Sequence, residues 1–162
     1  MPAGVHAAGT DTATITITGT VKNPTCTLTD KAPAIVMDAV DVSDFGATAN
    51  TDAGAKTVEL KLTNCTDITA LGIKVSGTAA SGSNDVFANS ETGDAAAVGV
   101  GFRLYDTDGV TAFTPDGNTK AATPTQSDNG YDIKYTAKYT STSDTVTSGK
   151  VKSVITVTFS YS

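Results

Sequence analysis

The sequence contains little of what enzymes and metalloproteins depend on most. Its 162 residues include no tryptophan and one histidine, His6, which lies in an N-terminal stretch unlike the rest of the chain. A Ser-His-Asp triad or a histidine-ligated metal site requires an imidazole at a defined position of the fold. We therefore expect neither an enzyme nor a metal or other cofactor.

Basic residues and long apolar runs are also scarce. The chain has 11 Lys and Arg residues against 17 Asp and Glu residues, for a net charge of −6, and its pI is about 4.5. Such an acidic protein is poorly suited to the phosphates of nucleic acid. No apolar run approaches the roughly 20 residues needed to cross a bilayer, so membrane insertion is not expected either.

Only two cysteines occur, Cys26 and Cys65, and they form no CxxC motif. Two free thiols in a core are one interpretation, and a disulfide between them is the favoured one. A disulfide indicates an oxidising compartment. It would close a loop of about 40 residues and stabilise the fold by about 4 kcal/mol in the chain-entropy model.

Thr, Ser, Ala and Gly are abundant instead, a composition that suits strands and tight turns. Several segments alternate apolar and polar side chains with a period of two, and none of ten or more residues has a convincing helical period. About seven strands joined by turns predict a single all-β domain, an immunoglobulin-like sandwich. The main strand candidates are residues 56–64, 71–77, 97–105, 131–140 and 150–162.

Two of these segments need a closer reading. Tyr131, Tyr135 and Tyr139 are spaced by four residues, as on a helix, but Ile133 and Ala137 complete one face of a strand. In residues 97–105 the alternation predicts that four apolar side chains share one face. They are Val98, Val100, Phe102 and Leu104.

The N-terminal region raises a question of pairing. Residues 12–19 alternate Thr with Ala, Ile or Gly, yet they precede Cys26 at the start of the chain. An apolar terminal strand promotes aggregation unless it is paired. It is either the first strand of a complete sandwich or a strand that pairs elsewhere, and residues 1–10 are interpreted as a leader remnant or a disordered N-terminus.

A set of short motifs, in order along the chain, resembles one family. These are the alternating strand that leads into Gly19, seven residues before Cys26; the strand at residues 58–62 followed by Asn64-Cys65; the stretch 98–102; the Asp-x-x-Gly turn at 106–109; the strand at 135–139; Gly149, fourteenth from the C-terminus; and the penultimate Tyr161. Together they resemble the pilus subunits of the chaperone–usher pathway, type 1-like fimbrial pilins.

The resemblance implies an incomplete immunoglobulin-like β-sandwich that a donor strand completes. Residues 11–22 are then an N-terminal donor-strand extension and residues 23–162 the pilin domain. The extension would present Ala13, Ile15, Ile17, Gly19 and Val21 to the groove of a neighbouring subunit. The strand at the groove edge, where a chaperone docks, would carry Gly149, Ile155, Val157, Phe159 and Tyr161.

The same resemblance implies a function and partners. We expect a structural subunit of an adhesive fimbria on the bacterial surface, exported through the periplasm and polymerised by donor-strand exchange. Its partners would be other pilus subunits, a periplasmic chaperone and an outer-membrane usher. The alternative is a single-domain carbohydrate-binding fimbrial adhesin, but the absence of tryptophan leaves few aromatic platforms for a sugar.

Overall fold

The structure, a computed structural model, describes residues 9–162. His6 and nearly all of the predicted leader remnant lie outside this part of the chain. Within it, regular structure consists of β-strands and one short 3-10 helix, and none of its helices is long and apolar enough to cross a membrane. The elements are β1 (Thr25–Leu28), a 3-10 helix (Val42–Phe45), β2 (Asp52–Thr66), β3 (Leu71–Ser76), β4 (Val100–Tyr105), β5 (Gln126–Ser127), β6 (Gly130–Ser141) and β7 (Thr156–Tyr161).

The strands form two antiparallel sheets. The larger has the order β1-β2-β6-β4, with the two-residue β5 also paired to β6, and the smaller consists of β3 and β7. An immunoglobulin sandwich of seven strands has the order A-B-E-D in one sheet and C-F-G in the other. The observed order matches A-B-E-D and C-F, so the immunoglobulin-like fold is confirmed, with the second sheet one strand short.

The core forms where the predicted alternation is strongest. Leu60 and Leu62 of β2 lie opposite Ile133 and Tyr131 of β6, and all four side chains are buried. Burying a side chain of this size contributes about 1.5–3 kcal/mol. The tyrosines spaced by four are therefore on a strand, as the filled-in pattern predicts.

The predicted disulfide is present. Cys26 and Cys65 are bonded, with their Cα atoms 4.1 Å apart. The bond joins β1 to the C-terminal end of β2, next to the ladder pair formed by Thr25 and Thr66. It therefore fixes the short strand β1, which makes few ladder bonds of its own, to the edge of the larger sheet.

One predicted side-chain orientation is wrong. Val98 does not share a face with Val100, because β4 begins only at Val100 and the Val98 side chain is 63% exposed. The reason is Gly99, whose φ of 79° interrupts the extended backbone between them. A side chain there would also collide with the backbone carbonyl of Thr145.

The sandwich is closed along one side. Phe87 exchanges two backbone hydrogen bonds with Phe102 of β4, at 2.7 and 3.0 Å, and so pairs the outer edge of that strand. Gly101 allows this close approach, because a Cβ there would collide with the Phe87 carbonyl. The opposite side, between β1 and β7, has no such cover in the described part of the chain.

Candidate functional site

On this open side, β7 has one edge with no strand paired to it in the described chain. Ser162 and Ala70 exchange backbone hydrogen bonds at 2.9 and 3.0 Å, which sets the pattern of the ladder to β3. In an antiparallel ladder alternate residues bond to opposite sides. The N–H and C=O groups of Val157, Phe159 and Tyr161 therefore point away from β3, where the described chain has no strand to receive them.

The same edge continues upstream of β7. Lys150 bonds to the backbone of Ala95 and Ala97 at 2.7 and 3.0 Å, and the Lys152 carbonyl accepts from Ser90 at 2.7 Å. These bonds all lie on the side of the smaller sheet that β3 occupies. The residues between these bonded positions have their backbone groups on the free side, and their side chains are half-buried. The free edge therefore extends over about eleven residues, 151–161. Its inward-facing members are Val151, Ser153, Ile155, Val157, Phe159 and Tyr161.

The other wall of the opening is the chain that follows β1. β1 pairs with β2 alone, and residues 29–41 then run alongside the opening without forming a strand. Hydrogen bonds hold this wall at both ends. The Thr29 N–H donates to the Lys61 carbonyl at 3.1 Å. The Tyr139 hydroxyl donates to the Asp38 carbonyl at 3.1 Å, and the 3-10 helix is capped by reciprocal bonds between Asp41 and Asp44.

Between these walls lies an elongated groove, which we call the acceptor groove. Its larger chamber has a volume of about 560 Å³ and adjoins residues 152–159. Its smaller chamber, of about 280 Å³, adjoins residues 146–151. The floor of the larger chamber is apolar and includes Val58, Leu60, Phe102, Leu104, Tyr135 and Ala137.

An aromatic pair marks the boundary of the two chambers. Phe102 lines the larger chamber and Tyr139 lines the smaller. Their rings pack with centroids 5.0 Å apart, and both side chains are only half-buried. We call this pair the aromatic ridge.

Gly149 lines the smaller chamber. Its φ is 152°, and an added Cβ would lie 2.5 Å from the backbone nitrogen of Ala97. No residue with a side chain fits this backbone without displacing the segment that Lys150 pairs with. Glycine is therefore required here for the β7 edge to begin in its observed position.

The lining of the groove is mainly apolar contact surface and contains few reactive groups. Of its charged lining residues, Asp30, Lys31, Asp41 and Lys152 are exposed. Arg103 is buried and is paired with Asp52 and Asp85. Burial raises the pKa of Tyr135 and, together with Asp38, that of Tyr139, so both hydroxyls stay neutral at physiological pH. Among residues 9–162 no group of His, Cys, Asp or Glu side chains is placed to hold a metal ion.

The N-terminal segment lies outside the groove. Residues 9–24 form no regular structure, and the predicted donor-strand residues are all exposed, with Ile15 at 81%, Ile17 at 88% and Val21 at 101%. Its one side-chain bond to the rest of the described chain joins Lys22 Nζ to Asp67 at 2.9 Å. The structure thus brings the predicted groove-edge residues together and leaves the predicted donor residues without a partner strand.

A comparison with known protein families agrees with these features, an open groove and an exposed N-terminal segment of alternating sequence. The model of the fimbrial protein family matches residues 15–162, nearly the whole chain. The chain belongs to the fimbrial protein family. The resemblance found in the sequence motifs is thereby confirmed, and no curated protein sequence matches this fimbrial protein significantly.

Solved structures support the fold. The P pilus rod subunit PapA is 16% identical, with a TM-score of 0.68 over 85% of this chain and 99% of its own. A subunit in a structure of a chaperone–usher pilus, described in terms of rod uncoiling, is 19% identical, with a TM-score of 0.67 over 99% of this chain and 100% of its own. An antigen and type I fimbria protein of Burkholderia pseudomallei is 20% identical, with a TM-score of 0.63 over 84% of this chain and 87% of its own.

Only part of the groove of this fimbrial protein is predictable from its sequence. The wall at residues 29–41 was not predicted, because its apolar and polar residues do not alternate. Phe102 and Tyr139 were predicted as strand residues, but their contact across β4 and β6 was not. This contact could be predicted only if the pairing of β4 with β6 were already known, because the two aromatic residues lie on one face of adjacent strands.

Proposed function

We propose that this fimbrial protein is a structural, non-enzymatic subunit of a chaperone–usher pilus and polymerises by donor-strand exchange. The observation that supports the proposal most directly is a pair of complementary features in one chain. The smaller sheet lacks a strand beside β7, and residues 11–22 are an exposed segment of alternating sequence that forms no regular structure. Each subunit thus has one strand to give and one place to receive a strand.

The energetics favour such an exchange. An added strand gains backbone hydrogen bonds along the β7 edge, and alternate side chains pack into the groove floor. Burying Ile15 and Ile17, now almost fully exposed, would contribute about 1.5–3 kcal/mol each. Pairing also removes the exposed sheet edge, which is a site of aggregation.

The division of the chain follows from this proposal. Residues 11–22 are the donor-strand extension and residues 23–162 the pilin domain. The domain begins close to the disulfide that fixes β1. The groove-edge residues Gly149, Ile155, Val157, Phe159 and Tyr161 form the edge that accepts the strand.

The partners follow from the open groove as well. Before assembly a periplasmic chaperone would lend a strand to the β7 edge, because the bare groove exposes apolar surface to water. At the outer-membrane usher the extension of another subunit would replace it. The finished fimbria lies on the cell surface, and the disulfide suits an oxidising route through the periplasm.

The test compares two substitutions on opposite faces of the extension. Gly19→Leu adds bulk to the face that enters the groove, whereas Thr18→Leu adds it to the outward face. Neither residue is packed against the pilin domain, so both variants should fold normally. We expect the SDS-resistant ladders of the unaltered chain, which collapse on boiling, to persist in Thr18→Leu and to disappear in Gly19→Leu. Normal ladders from Gly19→Leu would contradict donor-strand exchange.

A further inference from the structure

The smaller sheet has a second free edge, on the side of β3 that faces away from β7 and from the acceptor groove. Ala70 and Ser162 exchange backbone hydrogen bonds, and alternate residues of a paired strand bond to opposite sides. The N–H and C=O groups of Leu71, Ile73 and Val75 therefore point away from β7. Among residues 9–162 they make no backbone hydrogen bond on that side. Buried backbone groups are nearly always paired, so this unpaired edge is in contact with water.

The free stretch of β3 is short and has defined ends. At its C-terminal end Gly77, the next residue in the alternation, donates its N–H to the Pro115 carbonyl at 2.9 Å. The chain itself therefore covers the edge from Gly77 onwards. At its N-terminal end β3 begins at Leu71, directly after the ladder bonds of Ala70. An exposed edge of this kind is a template for pairing with another strand.

The side chains of β3 indicate which strand can pair there. Leu71 and Val75 are buried and Ile73 is half-buried, whereas Gly72 and Lys74 lie on the exposed face. A lysine on an edge strand ordinarily opposes pairing, and like charges directly opposite each other repel. If two β3 strands pair antiparallel with Ile73 at the centre, each Lys74 lies opposite the Gly72 of the other copy. Glycine leaves room for the lysine stem, and an added Cβ at this position would collide with the Ser160 hydroxyl.

We propose that the β3 edge pairs with the β3 edge of a second copy of the chain, antiparallel and with twofold symmetry about Ile73. Leu71 then lies opposite Val75 of the other copy, and Ile73 opposite Ile73, with each pair exchanging two hydrogen bonds. The two half-buried Ile73 side chains cover each other. The second copy is the partner because the pattern of small, charged and apolar residues is self-complementary, as a twofold interface requires.

A twofold contact differs from the head-to-tail contact of donor-strand exchange. Head-to-tail contacts build an open filament, whereas a twofold contact closes after two molecules. The β3 contact therefore joins subunits of two neighbouring filaments. A strand edge this short is far smaller than a stable interface of about 1,200 Å², but its repetition along two filaments strengthens the association. This step rests on the proposed donor-strand exchange, and the pairing of β3 edges does not.

Cross-linking between full-length chains tests the pairing. In the Ile73→Cys chain the introduced cysteines of two copies are opposed, with Cα atoms about 5.5 Å apart, within the 4.4–6.8 Å that a disulfide spans. Mild oxidation, followed by boiling without reductant to separate donor-strand complexes, should leave covalent dimers. The control is Thr57→Cys, an exposed position on the larger sheet, and it should give at least about tenfold less dimer. Equal dimer yields would overturn the inference.

Two small residues outside the core test the direction of pairing. Ala70 is exposed and Ser76 half-buried, and in the proposed register each lies opposite the other residue of the second copy. Two copies of the same residue are about 20 Å apart. A mixture of Ala70→Cys and Ser76→Cys chains should therefore form at least about tenfold more covalent dimer than either chain alone. Linkage by either chain alone would indicate parallel pairing and overturn the register.

Electron microscopy tests whether the contact joins filaments. We expect oxidised fimbriae of the Ile73→Cys chain to lie side by side in pairs and to separate when reductant is added. Single filaments in spite of full cross-linking would overturn the lateral arrangement. A chain that cross-links at position 73 but forms no filament would contradict the proposed function and support the pairing of β3 edges.

Discussion

Single residues determine whether the groove can form, and Gly149 is the strictest of them. Its φ of 152° and the 2.5 Å between a Cβ there and the Ala97 nitrogen leave no room for a side chain. We expect Gly149→Ala to lower the free energy of unfolding by roughly 1–3 kcal/mol. Urea-induced unfolding of the full-length chain measures this. Gly19→Ala, where nothing lies within 4 Å, serves as the control and should change the unfolding free energy by less than about 0.5 kcal/mol.

Tyr135 has a buried hydroxyl that the fold does not use. The side chain is 1% exposed, and among residues 9–162 its oxygen has no hydrogen-bond partner. Its ring packs edge-on against Phe113 at 4.9 Å. Removing an unpaired buried hydroxyl relieves a desolvation cost, so Tyr135→Phe should stabilise the chain by about 1 kcal/mol at pH 7. Tyr131→Phe on the same strand serves as the comparison, and marked destabilisation by Tyr135→Phe would contradict the prediction.

The same residue gives stability a dependence on pH. Burial, with a smaller contribution from Asp106, raises the pKa of Tyr135 above its ordinary value. In the unfolded chain this phenol ionises near pH 10, while in the folded chain it stays neutral to higher pH. The folded state therefore loses stability as pH rises above about 10. Unfolding measured at pH 7 and pH 11 should show a smaller loss in Tyr135→Phe than in the unaltered chain.

At the scale of elements, a polar cluster on the outer face joins parts of the fold that the core does not. Arg103 of β4 is buried, and its guanidinium donates to Asp52 of β2 at 2.9 Å and to Asp85 at 3.1 Å. Asp52 also accepts hydrogen bonds from Tyr105 and Thr140. The cluster thus holds the segment that covers the β4 edge against the larger sheet.

We expect Arg103→Met to be strongly destabilising. The arginine side chain is 8% exposed and its partners 23% and 34%, so the substitution leaves two poorly hydrated carboxylates without their cation. Breaking a buried pair in this way costs about 3–5 kcal/mol, and the partial exposure of the aspartates favours the lower end. Asp67→Asn, which breaks the exposed pair with Lys22, should cost less than about 1 kcal/mol. Equal effects in thermal unfolding would contradict this assignment.

The elements differ in how far the sequence predicts them. β2, β3, β6 and β7 were predicted because one face of each packs on the core, and burial of one face imposes a period of two. The burial of Arg103 was not predicted, because an outward position on β4 becomes buried only when the segment around Asp85 folds over it. The wall at residues 29–41 was missed for a different reason. These residues form no strand in the described chain, so no ladder imposes a pattern on their sequence.

At the scale of the whole molecule, the sandwich is closed on the side of β4 and open on the side of β7. Backbone pairing by Phe87 protects the first edge, whereas the second has no paired strand beside β7 in the described chain. In the proposed polymer, partner choice would have two separate sources. The groove would select for the shape of the extension, and the approach of two complete subunits would depend on their total charge.

These two sources can be separated by ionic strength. The complete chain has a net charge of −6, whereas residues 11–22 contain one Asp and one Lys and are neutral overall. Two like-charged subunits repel over a Debye length of about 30 Å at 0.01 M salt but only about 8 Å at 0.15 M. We expect the rate of polymer formation by the full-length chain to rise several-fold over this range. Uptake of the peptide of residues 11–22, with blocked termini, should change by less than about twofold, because a neutral strand is not repelled. Stopped-flow or gel-based kinetics at matched concentrations measure both rates, and an equal response of the two would show that charge does not govern the encounter of subunits.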